Sequence, residues 1–309
     1  MIRYMEEGDS MELNRKILKM GIIIISLSII ISLGLAMFMK LDKPVFFKNY
    51  IETMLEVSSN SYREDEFVLK YITNISDKRR ITDIYFEEYP NLVLYAGNYS
   101  SRRDIFPIFL WGSNFREEVY GRYVIRNLYV TMDIRSLGEF DEIELNNARI
   151  TFDDGDVIDV NLGRIIFYNY YDEDNNYKNE HLKSYSSTSS SDGTSSAIME
   201  VKEDITITNV KSSLLKDVDD LVEIKIGDIG YGDISEIQYK NNDVLRINSV
   251  FKHPKDILRK FNLYNIEPKI YYKDSNEDLF YRRVHGIKYT NYDISTWEII
   301  KYLKARGEI

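Results

Sequence analysis

The sequence predicts a mainly β protein behind one N-terminal membrane-spanning helix, and three observations predict it. No charged residue occurs from Gly21 to Met39, within the run MGIIIISLSIIISLGLAMFMK at 20–40. Beyond Pro44 the chain turns to short runs of alternating apolar residues split by polar turns, the period of half-buried strands. Helical spacing beyond that point is confined to two short stretches near the C-terminus. The expected order is an inner tail (1–19), a transmembrane helix (20–40) and a β-rich unit (41–183). A Ser-rich linker or loop (184–196) and a second β-rich, sandwich-like unit (197–309) ending in a short amphipathic helix follow.

The nineteen residues 21–39 reach roughly 28 Å as a helix, close to the ~30 Å hydrocarbon core of a bilayer. Gly21, Ser26, Ser28, Ser32 and Gly34 interrupt Ile, Leu, Met, Phe and Ala. A serine hydroxyl can bond back to a carbonyl one turn earlier, so these residues do not forbid insertion. No face is polar, which argues against a helix lying on the membrane surface. Two other readings stay open: a core helix, and a cleaved signal peptide with small residues at Gly34 and Ala36. The run continues through Met37, Phe38 and Met39 and exceeds a usual signal core of ~7–15 residues, so an uncleaved anchor is favoured. Arg15, Lys16 and Lys19 precede the run, and Lys40, Lys43 and Lys48 follow it. Arg3 tips that near-tie towards a cytoplasmic N-terminus, placing residues 40–309 outside the cell membrane. The opposite orientation remains the alternative.

Residues 1–39 hold four basic and four acidic side chains, so the net charge of −10 belongs to residues 40–309. An acidic body disfavours nucleic acid, which requires a basic patch. The absence of cysteine removes disulfides, thiol nucleophiles and lipoprotein attachment together. Twenty-five tyrosines against fourteen phenylalanines allow a tyrosine-lined glycan or peptide surface. The high β-propensity of Tyr and an AT-rich coding bias are the simpler account.

Strands are expected at 67–72, 81–86, 91–95 and 123–132. The clearest unit is RITFDDGDVIDVNLGRIIFYNY (149–170), where Asp153–Asp156 turn between two alternating runs and Gly155 accepts positive φ. SYSSTSSSDGTSS (184–196) and the polar stretch before it hold too little apolar surface to bury, hence the linker or loop. Further strands follow in IMEVKEDITITNV, LVEIKIGDI and VLRINSVF. PKDILRKF then reads as a short helix, and PKIYYKDSNEDLFYRRVHGIKY as a hairpin turning at 274–278. In STWEIIKYLKARGEI, Ser295 and Glu298 have capping-box spacing and Gly307 a stop.

No catalytic constellation emerges, and no catalytic, cofactor-binding or metal-ligating residue is assigned. His181, His253 and His285 stand apart, without the paired ligands a zinc site needs. Gly227, Gly230 and Gly232 do not form a phosphate-binding fingerprint. Asp274–Asp278 and Asp172–Asn176 open like calcium loops but lack the sixth-position glycine and the twelfth-position carboxylate. The expected function is therefore a non-catalytic binding, structural or accessory-subunit protein of a bacterial envelope. It would have the lipid bilayer (through 20–40) and an envelope protein as partners, and neither cofactor nor nucleic acid. The alternatives are a carboxylate-dependent envelope hydrolase and an extracytoplasmic sensor or regulatory subunit of a membrane complex.

Overall fold

The computed structural model describes residues 2–55, 64–97, 117–137, 140–169, 181–190, 193–284, 286–291 and 293–309. Among the described residues, helix α1 (Ile2–Phe38) leads into twenty strands. These are β1 (Val45–Phe46), β2 (Asn49–Leu55), β3 (Glu64–Asn74), β4 (Ile81–Phe86), β5 (Val93–Gly97), β6 (Glu118–Tyr120), β7 (Tyr123–Asp133), β8 (Glu142–Phe152), β9 (Val157–Asn169) and β10 (Leu182–Ser189). Then come β11 (Thr194–Val201), β12 (Ile205–Lys211), α2 (Leu215–Val218), β13 (Val222–Ile226), β14 (Ile229–Gly230), β15 (Ile237–Tyr239) and β16 (Val244–Phe251). The chain closes with α3 (Ile257–Lys260), β17 (Leu263–Ile266), β18 (Lys269–Lys273), β19 (Leu279–Arg283), β20 (Ile287–Tyr289) and α4 (Thr296–Ala305). The fold is mainly β, with sandwich-like sheets and few helices.

Four sheets build two lobes. In the first, the sheet β1-β3-β7-β5, with β6 on β7, faces β2, β9, β8 and β4 of a six-stranded sheet. Leu69, Leu128 and Val130 pack there against Leu145, Ile150 and Ile165. In the second, the sheet β10-β11-β16-β13-β14 packs with β15-β12-β18-β19 around Ile207, Ile224, Leu245 and Ile270. Two C-terminal strands complete the six-stranded sheet, whose order is β20-β17-β2-β9-β8-β4. The stretches 41–183 and 197–309 therefore meet inside one sheet. Its strand β9 serves both cores: Ile165 and Phe167 enter the first, while Ile166 between them enters the second. Strand alternation explains this directly, because neighbouring side chains leave on opposite faces.

Strand β2 pairs parallel with β9 on one side and parallel with β17 on the other. Every other pairing among the described residues is antiparallel. Gly163 makes the first parallel pair fit. Its φ is +88°, and a Cβ there would stand 2.3 Å from the carbonyl oxygen of Asn49. Only glycine lets the two backbones approach that closely.

The Ser-rich run, expected as a linker or loop, is instead paired. Residues 184–189 belong to β10 and 194–196 to β11, and the two form an antiparallel hairpin bulged between Ser184 and Ser186. Side chains 183–190 are all exposed. The strand therefore shows no apolar alternation to betray it, and main-chain bonds to β11 fix it.

Helix α1 starts well before residue 20 and ends at Phe38. Its side chains are described from Arg15 to Ser32 and at Gly34, Met37 and Phe38. Among the described residues no helix is long and apolar enough to cross a membrane. Residues 33, 35 and 36 of the expected 20–40 span lie outside the described side chains. Exposure of the large apolar residues from Ile17 to Phe38 runs from 53% at Ile31 to 84% at Phe38. The β body does not cover the described part of this helix.

A third core seats the exit of α1. Leu41, Val45 and Phe47 pack against Ile299, Tyr302 and Leu303 of α4. Tyr123 donates to the carbonyl of Met39 at 2.6 Å. Asn74 clamps Leu41 from both sides, accepting from its N–H (3.1 Å) and donating to its carbonyl (2.7 Å). The capping box expected at Ser295 and Glu298 opens α4.

Candidate functional site

The deepest concentration of ionisable groups lies where the two lobes meet, at Glu52 of β2, Glu267 after β17 and Arg283 of β19. They are 2%, 7% and 2% exposed. Burying charge this completely demands partners for each polar atom. Glu52 Oε1 accepts from the Ser212 hydroxyl at 2.7 Å, and Oε2 accepts from the backbone N–H of Glu267 at 2.7 Å. Glu267 accepts a short hydrogen bond from the Tyr168 hydroxyl at Oε2, and one from Asn265 Nδ2 at Oε1, 3.1 Å away. Arg283 sits over the Tyr168 ring, its guanidinium carbon 3.5 Å from the centroid, and donates to the Glu267 carbonyl at 3.0 Å. Its other nitrogen stands 3.7 Å from Glu142.

Burial pushes the Glu52 carboxyl above its ordinary range, and the charge of Glu267 adds to that. Hydrogen bonds from Ser212 and Glu267 N–H, with the charge of Arg283, pull the other way and only partly offset it. A half-exposed clamp lies on the same seam. Arg164 grips Glu144 through two bonds of 2.6 and 2.7 Å and reaches Asp217 of α2 at 2.6 Å. The hydrogen bond from Arg164 holds Glu144 below its usual carboxylate value.

Two carboxylates with one raised pKa are the raw material of glycoside hydrolysis, so geometry decides. That chemistry needs water and a sugar between the acids. Here the four carboxylate oxygens of Glu52 and Glu267 are each taken by a protein donor. The pocket formed by Phe47, Lys70, Glu118, Lys260, Phe261 and Asn291 contains neither acid and measures about 40 Å³. That is room for a water or two, against roughly 300–1,000 Å³ for a ligand site. The seam is built as a latch between lobes.

The residues singled out in the sequence fall elsewhere. His181 is buried against Tyr272 and Phe280, with Nε2 3.6 Å from Glu203. His253 meets the ring of Tyr289 edge-on. His285 and Asp172–Asn176 lie outside the described residues. Asp274 Oδ1 accepts from the N–H groups of Asn276 and Asp278, both at 2.9 Å, so it closes the β18–β19 turn. Among the described residues no group of His, Asp and Glu converges as a metal site. Gly227 follows β13 at φ +60°, a turn position. Glu52, Glu267 and Arg283 carry no motif in the sequence. Their nearest signal is a lone charge inside an apolar strand, as in NYIETML.

Fold and seam together define a mainly β, sandwich-like protein with a buried cluster of charged groups, Glu52, Glu267 and Arg283, bonded to protein donors and acceptors. No family model and no curated protein matches the sequence. Among solved structures the chain is similar to a protein of unknown function from Porphyromonas gingivalis W83. Identity is 10%, coverage 81% of this chain and 99% of that one, and the TM-score 0.21. It is similar to the D00-D0 domain of intimin at 7% identity, over 81% and 100% of the two chains, with TM-score 0.21. It is similar also to the sialic acid binding region of a Streptococcus sanguinis SK1 adhesin at 10% identity, over 79% and 76%, with TM-score 0.20. At these TM-scores the likenesses carry no argument.

Proposed function

We propose that the chain is a single-pass membrane protein with its β body on the extracytoplasmic side. It binds or assembles with a protein partner at a bacterial cell envelope as a structural or accessory subunit, without catalysis. The observation that carries this reading is the uncharged apolar run 21–39, of a length that suits a bilayer. The exposure of its described side chains adds support, since apolar surface on this scale requires a covering. The closed carboxylate seam favours the non-catalytic reading over the hydrolase.

Flotation of the full-length protein with liposomes tests the tether. The expected result is co-flotation that survives high salt and alkaline carbonate and is lost in detergent. Recovery of the uncut chain in a detergent-free, high-speed supernatant would refute it. Protease treatment of intact cells tests sidedness, with digestion of the β body expected. Affinity purification from native membranes is expected to bring down a stoichiometric protein partner. Hydrolysis of peptidoglycan or glycan fragments by the pure protein would overturn the non-catalytic reading.

A further inference from the structure

Helix α4 has an outward face that the core does not use. Ile299, Tyr302 and Leu303 point inward and are buried, whereas Trp297, Lys301, Lys304 and Ala305 are exposed. Their spacing of four, seven and eight residues from Trp297 places them on one side of the helix. Trp297 is 71% exposed, unusual for the largest apolar side chain. The ion pair of this helix is made by Glu298 with Lys260. Among the described residues Lys301 and Lys304 have no carboxylate partner. These lysines belong to a body that carries the whole net charge of −10.

The helix that carries this face packs beside the segment where α1 leaves the body. Phe38 ends α1, the Met39 carbonyl is held by Tyr123, and Leu41 is clamped by Asn74. Thr296, at the start of α4, lies against Gly121, two residues from Tyr123. At the other end Arg306 donates to the carbonyl of Phe46 at 3.3 Å, and Phe47 packs edge-on against Tyr302 with centroids 5.8 Å apart. Helix α4 therefore packs along residues 41–47, the segment that follows the exit. Lys40 and Lys43 are exposed next to the exit, with Asp42 between them.

We infer that the outward face of α4 rests on the anionic phospholipid headgroups of the leaflet from which α1 emerges. Trp297 enters the interface and Lys301 and Lys304, with Lys40 and Lys43, face the lipid phosphates. An indole suits that zone because one part of it is apolar and its N–H is polar. Lysines keep their stems on the apolar boundary and their ammonium groups at the phosphates. The face is too small to hold a protein to a membrane by itself. Beside a tether it acts as a second contact and fixes the tilt of the β body. The inference rests on the tethered reading of residues 20–40.

The chain has two tryptophans, Trp111 and Trp297, so the variant Trp111→Phe leaves Trp297 as sole fluorophore. The full-length variant is reconstituted into vesicles of phosphatidylcholine with increasing phosphatidylglycerol, part of it brominated along the acyl chains. The expected result is blue-shifted emission quenched by the brominated lipid, more strongly as the anionic fraction rises and less strongly in high salt. Lys301→Gln with Lys304→Gln should lower the docked-to-free ratio roughly thirtyfold, about fivefold per lysine lost. Should Trp111→Phe fold poorly, wild type minus Trp297→Phe gives the same signal by difference. Co-flotation with a red-edge emission insensitive to brominated lipid would overturn the inference and leave the tether standing. Failure to co-float would overturn both.

Discussion

Replacing Glu52 tests whether the buried seam is a latch, because two substitutions at this one position have opposite expectations. In Glu52→Ala, the buried Glu267 N–H and the half-buried Ser212 hydroxyl lose their acceptor. An orphaned buried donor costs ~1–3 kcal/mol, so the two together are expected to cost roughly 2–6 kcal/mol, the half-buried hydroxyl contributing the smaller share. In Glu52→Gln, the amide oxygen still accepts from Glu267 N–H. The amide NH₂ then meets the Ser212 oxygen, which already accepts from the Leu214 N–H at 3.0 Å and has a second lone pair. That variant should stay within ~1 kcal/mol of wild type at acid pH. The pH trend follows from the raised pKa of Glu52. The folded state holds the proton more tightly than the unfolded state. The contribution of this group to stability is therefore complete below the unfolded carboxylate pKa and lost as pH rises through the raised folded value. Glutamine never ionises, so the stability of Glu52→Gln relative to wild type should improve across that window. Chemical denaturation of all three proteins in matched detergent, from pH 4 to pH 8, measures this. Equal destabilisation by both substitutions, or a Gln-minus-Glu difference flat with pH, would refute the latch.

Gly163→Ala should cost at least ~3 kcal/mol or prevent folding, since positive φ and a Cβ 2.3 Å from a backbone oxygen cannot both be relieved; thermal unfolding and expression yield report it. Tyr123→Phe removes the 2.6 Å bond to Met39 and should cost ~1 kcal/mol. Its signature is faster amide exchange at residues 39–41, with the cores unchanged. Millimolar calcium should leave the melting temperature unchanged, because Asp274 spends its oxygen on turn N–H groups; a saturable upward shift would restore a calcium site there. Ser295→Ala should cost ~1 kcal/mol through loss of the capping box, read as earlier thermal unfolding.

What was legible in the sequence is what local pattern encodes. Strands at 81–86 and 244–251 have the expected limits, β7 extends the expected 123–132 by one residue, and the β8–β9 hairpin turns at Asp153–Asp156. In each, alternation or turn chemistry acts within a few residues. The capping box and the β18–β19 hairpin are legible for the same reason. The parallel neighbours of β2 were not, because Asn49 meets Gly163 and Leu263 across more than a hundred residues. The strand at 184–189 was hidden by its serines, whose side chains bury nothing. The seam was hidden because Glu52, Glu267 and Arg283 converge only once three distant segments are packed.

Strand β2 leaves the ribosome among the first parts of the body, yet one of its two neighbours, β17, is among the last. During synthesis its outer rim stays bare until residues 263–266 have emerged. Assembly of the body must therefore wait for residues 263–266 rather than proceed stepwise from the N-terminus, and distant pairings of this kind slow the search. A chain stopped before residue 263 would lack that neighbour and leave an open strand rim exposed to other nascent proteins.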